Sequence, residues 1–124
     1  MTSLARFLRE MFATPDAPAS AYVWAAALMG HWAIGAGLTM LIVALLGPRS
    51  WLAAIVVSLV YAAAWEGAQI VFAGSAVWDA ILDWVAVTLG ALCGAAAWEH
   101  RRRLIAAIVG TVLLIVTAGV GKRR

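Results

Sequence analysis

Residues 51–98 read WLAAIVVSLVYAAAWEGAQIVFAGSAVWDAILDWVAVTLGALCGAAAW. Two apolar runs, about 51–73 and 77–98, flank the short turn signal Gly74-Ser75-Ala76. Each run matches the roughly 20 residues needed to cross the hydrocarbon core of a bilayer. Two such runs joined by so short a turn read as an antiparallel helical hairpin. The polar interruptions include Ser58, Glu66, Gln69, Asp79 and Asp83.

The same pattern continues on either side. Residues 21–46 are apolar except for His31 and Thr39, and Gly47-Pro48-Arg49-Ser50 ends the run. This first span exceeds the minimum length, so it is expected to tilt or to reach the interface. After Glu99-His100-Arg101-Arg102-Arg103, a shorter run at about 104–120 gives a fourth span, followed by a basic tail at 121–124. Trp51, Trp78 and Trp98 fall at span ends, where indole rings favour the headgroup level. Trp24, Trp32, Trp65 and Trp84 lie inside spans and read as packing or lipid-facing groups.

Upstream, Leu4, Phe7, Leu8 and Met11 form one helical stripe, opposed by Arg6, Arg9 and Glu10. Residues 1–20 therefore read as a short interfacial amphipathic helix and a linker in which Pro15 and Pro18 stop the helix. The expected fold is all-α: a polytopic integral membrane protein with four up-and-down transmembrane helices at 21–120 and a short N-terminal interfacial helix.

Composition agrees. Of 124 residues, 65% are hydrophobic and 12% charged, whereas a soluble domain is about half apolar and a quarter charged. A soluble chain this short could not bury so much apolar side chain. The net charge of +3 sits on span flanks rather than on a polar surface, which argues against nucleic-acid binding. Cys93 is alone in the sequence, so neither a disulfide nor a cysteine-based metal site can form. The N-terminal residues lack a compact apolar region and a small-residue cleavage site, so a removed signal peptide is not expected. Arg6, Arg9, Lys122, Arg123 and Arg124 lie on the face of the termini, against Arg49 and Arg101 to Arg103 on the other. That slight excess favours cytoplasmic termini in a cytoplasmic (inner) membrane.

An ionised acid at a helix centre costs about 3 kcal/mol on insertion scales, so Glu66 and Asp83 demand a role. Residues equally far from a hairpin turn lie at equal depth. About Gly74-Ser75 the partner of Glu66 is Asp83, each roughly 12 Å from the turn. About Pro48-Arg49 the partner of Glu66 is His31. One ionisable residue from each of three helices should thus share a layer, with Gln69 and Asp79 leading from it toward the face of the termini. No Lys or Arg lies within these spans. The two acids cannot both ionise readily in a low dielectric, so the layer suits a proton, a cation or a hydrogen-bonding ligand. His31, Glu66, Gln69, Asp79 and Asp83 are the candidate ligand- or proton-binding residues. Their spacing matches no known metal-ligand motif, so neither a metal nor another cofactor is expected. No nucleophile and base stand at a recognisable spacing, so catalysis is not expected either. Gly90 and Gly94, with Ala91 and Ala95, supply a smooth face for close helix packing; Gly30, Ala33, Ala36 and Gly37 offer another.

The stretch from about 30 to 97 resembles the VanZ-like family of small membrane proteins. The similarity rests on His31 in the first matching span, Glu66-x-x-Gln69 late in the next, a Gly-containing turn, and Asp83 leading into Thr88-Leu89-Gly90-Ala91-x-x-Gly94. Ser75 or Ala76 stands where that pattern has a basic residue, and Val87 where it has Asn. The resemblance implies an envelope-associated membrane protein of a family named for glycopeptide resistance, with no catalytic reaction attached, and adds weight to Glu66, Gln69 and Asp83. The expected partners are the lipid bilayer and an amphipathic or lipid-linked envelope component or antibiotic, with self-association open. Two other classes fit the same features: a phage-type holin or pore former, and a small proton- or cation-coupled transporter acting as an oligomer.

Overall fold

The computed structural model describes residues 3–6, 9, 20–47 and 49–124, and among these it is all-helical. Residues 3–6 are helical and exposed. Most of the segment read as an interfacial helix and linker lies outside the described residues, as does Pro48. Four helices are long and apolar enough to cross a membrane: α1 (Ala21–Leu46), α2 (Ser50–Ala73), α3 (Val77–Trp98) and α4 (Arg102–Arg123). Gly47 and Gly74 close α1 and α2 at φ of 64° and 70°, the left-handed conformation that glycine adopts without strain.

The first three helices match the apolar runs almost residue for residue. The fourth is longer than its apolar run, beginning at Arg102 and continuing to Arg123. Helical backbone runs on through flanking Lys and Arg because their long side chains can place charge outside the apolar zone.

Close contacts define the topology. The Trp32 backbone meets Gly90 and the Ala36 backbone meets Gly94, so α1 and α3 run parallel. Ser58 bonds Thr88 while Ser50 bonds Glu99, so α2 runs antiparallel to α3. Trp24, at the start of α1, packs on Gly119 and lies 4.1 Å beneath the Arg123 guanidinium, placing α4 antiparallel to α1. Both α2 and α4 pack against the central pair of α1 and α3. One core joins Ala54, Val57, Val87, Ala91 and Ala95; a second joins Trp24, Leu28 and Ala86 to Ile115, Val116 and Val120.

Small residues make the central pair possible. A Cβ at Gly90 would strike the Trp32 carbonyl, and one at Gly94 would lie 2.7 Å from the Ala36 carbonyl. The facing surface of α1 departs in part from expectation: Ala36 meets Gly94 as expected of that face, but Gly30 and Gly37 have open space around them, and Gly35 is the glycine pressed against Val87 and Ala91. Side chains such as Leu45, Leu46, Val71, Phe72 and Leu114 point outward and are largely exposed. An apolar exterior of this extent marks an interaction surface, for a membrane or for another protein.

Candidate functional site

The second half of α2 departs from α-helical geometry. Tyr61–Glu66 and Gln69–Ala73 form π-helical turns, with i→i+5 hydrogen bonding. In a regular α-helix Tyr61 and Glu66 would stand about 140° apart around the axis. The wider turns bring them toward one side, close enough for their side chains to interact. Glu66 and Gln69 are the buried members of the two segments.

This places Glu66 against the central pair. One nitrogen of His31, one carboxylate oxygen of Glu66 and one of Asp83 all lie within 4.8 Å of one another. His31 Nδ1 is 3.4 Å from Asp83 Oδ1 and 2.8 Å from the Ala27 carbonyl, to which a protonated Nδ1 donates. The His31 ring also meets Tyr61 edge-on, with centroids 6.1 Å apart. Glu66 is 4% exposed. Neither of its oxygens, nor the Tyr61 hydroxyl, has a hydrogen bond of normal geometry. Among the described residues no Lys or Arg forms an ion pair with the cluster.

Three of the five candidate residues therefore converge. Gln69 is buried and lies nearly one turn beyond Glu66 toward the connection at 74–76, while Asp79 is half-buried one turn before Asp83. Both extend the polar character of the bundle from the cluster toward the face of the termini. Tyr61 is a member that sequence reasoning missed, because no α-helical spacing relates it to Glu66.

A second feature adjoins the cluster. Glu66 is the acidic residue in the wall of a crevice of about 160 Å³ between α2 and α3, otherwise lined by Ala62, Gly67, Ile70, Val77, Ala80, Ile81 and Trp84. The Trp84 indole donates to Ser58 Oγ at 3.0 Å, and Ser58 pairs with Thr88 at 2.7 Å. Trp84 is thus tied by its polar edge while its ring forms the crevice wall, a role finer than the general packing or lipid contact expected of it. An apolar crevice with a buried acidic residue in its wall can receive a molecule with an apolar tail and a polar head.

At the opposite end, Ser50 Oγ and Arg101 Nε both donate to the Glu99 carboxylate. These bonds, led by Ser50, hold the Glu99 carboxyl below the usual carboxylate range. They join the start of α2 to the end of α3.

Comparison of the chain with protein-family models, curated proteins and solved structures finds no match.

Proposed function

We propose that this chain is a multi-pass protein of a cytoplasmic membrane, VanZ-like in kind, with both termini on the cytoplasmic side. In this role the cluster of His31, Glu66 and Asp83 binds the polar head of an amphipathic or lipid-linked envelope component, or of an antibiotic directed at the envelope. The observation that carries it is the double position of Glu66, in the polar cluster and in the wall of an apolar crevice. A buried carboxylate without hydrogen bonds of normal geometry gains from a ligand that brings donors or positive charge. The crevice supplies the apolar contact that a tail requires. The family resemblance rests on the sequence motif and agrees with this use of Glu66 and Asp83.

The test is a susceptibility assay in a strain carrying a functional copy. Expression of the wild-type chain should change sensitivity to a glycopeptide antibiotic. The combined Glu66→Gln and Asp83→Asn variant, at equal membrane abundance, should return it to the level of an empty vector. An unchanged phenotype in the double variant would exclude the polar cluster from the function.

A further inference from the structure

We propose that His31, Glu66 and Asp83 form a site for one divalent transition-metal ion of the zinc class, held between α1, α2 and α3. The donor set is one imidazole and two carboxylates, drawn together to within 4.8 Å. Zinc accepts this combination, whereas the hard cations calcium and magnesium favour oxygen-only sites. The His31 Nδ1 to Asp83 Oδ1 separation of 3.4 Å is already about that of two ligands on one tetrahedral ion, which lie roughly 3.4 Å apart for bonds of about 2.1 Å. Closing the set asks the third ligand, on the flexible Glu66 side chain, to move by on the order of 1 Å. A ligating Nδ1 gives up its bond to the Ala27 carbonyl.

Glu66 is an independent sign of a ligand. Glu66 is 4% exposed and neither carboxylate oxygen has a hydrogen bond of normal geometry, its contact with Tyr61 falling short of one. Buried polar groups in native structures are almost always satisfied, and an orphaned one points to an absent ion or water. Charge supports the same conclusion. The three helices contain no Lys or Arg, and a dication matches the charge of two carboxylates, which removes the cost of placing both in a low dielectric. Three protein ligands would leave a fourth position for water or for an oxygen of a bound molecule. The ligands come from three separate helices, so no spacing motif betrays them. The metal site shares its residues with the binding role proposed above but does not depend on that role.

The test uses the full chain purified in a mild detergent, stripped with a chelator and titrated with Co²⁺, with Zn²⁺ as competitor. The expected result is one Co²⁺ per chain, with visible ligand-field absorption that Zn²⁺ abolishes. Affinity should fall with pH, because protons compete for the ligands. Glu66→Gln, Asp83→Asn and His31→Gln should each weaken binding about tenfold or more, with helicity checked by circular dichroism. His100→Gln and Glu99→Gln, outside the cluster, should bind as wild type. Zinc should also raise the unfolding temperature of the wild-type chain, a readout that needs no variant. Absence of binding and of any thermal shift in the wild type would overturn the site, as would undiminished binding in a folded double variant at Glu66 and Asp83. Only detergent and metal are present, so a failure here leaves amphiphile binding to its own susceptibility test.

Discussion

His31 on α1 and Asp83 on α3 face each other at 3.4 Å across the tightest helix pair of the bundle. Their side chains are 18% and 29% exposed, so the pair sits between the core and the lateral surface. Parallel α1 and α3 pack closely through glycine, which brings two short polar side chains within reach of each other. Polar contacts between membrane helices contribute about 0.6 kcal/mol on average in double-mutant cycles. A cycle of His31→Ala and Asp83→Asn should show coupling of that size when unfolding is followed in detergent micelles. Simple additivity would mean that the two groups meet without interacting.

Glu66→Gln should leave the fold as stable as wild type or more so. The carboxylate has no hydrogen bond of normal geometry to lose, an amide oxygen can keep the contact with Tyr61, and a neutral amide of the same shape costs less to bury. Unfolding temperature together with helicity measures this. A loss greater than about 1 kcal/mol would show that the fold needs the acid, since functional groups are those retained against stability.

Glycine substitutions should divide sharply by position. Gly90→Ala and Gly35→Ala each force a methyl into the backbone of the partner helix, and overpacking of this kind costs about 1–3 kcal/mol. Gly37→Ala meets open space and should be neutral or stabilising by up to about 1 kcal/mol through helix propensity. Thermal unfolding of the three variants in one detergent tests the contrast.

The contact between Ser50 and Glu99 predicts a dependence on acid. The Glu99 carboxyl is held below its usual range, chiefly by Ser50, with help from Trp51 and Arg101. A group shifted downward contributes its stability above the unfolded-state value of about 4.3, and loses it as pH falls through the lower folded-state value. Melting followed from about pH 6 to about pH 3, on either side of that unfolded-state value, should therefore show an acid-induced loss in the wild type that is smaller in Glu99→Gln. Equal loss in both would remove Glu99 from the acid response.

The number, order and limits of α1, α2 and α3 were legible in the sequence because apolar length and turn signals are local properties. So was the common layer of His31, Glu66 and Asp83, because short connections force antiparallel neighbours and equal counts from a turn give equal depth. Depth alone does not say which way a side chain faces. The π-helical turns that bring Tyr61 and Glu66 toward one side are not announced by anything in the local composition. The same limit explains why Gly35, rather than Gly30 or Gly37, meets α3: all lie in one apolar helix, and only the rotation of α1 against its partner selects among them.

The chain by itself determined a four-helix apolar protein and the level at which its acids lie, since hydrophobicity and chain length act residue by residue. Tertiary structure decided that Glu66 turns inward, lacks a hydrogen bond of normal geometry and reaches both His31–Asp83 and an apolar crevice. That outcome depends on the helix rotations and close approaches set by packing between residues far apart in sequence.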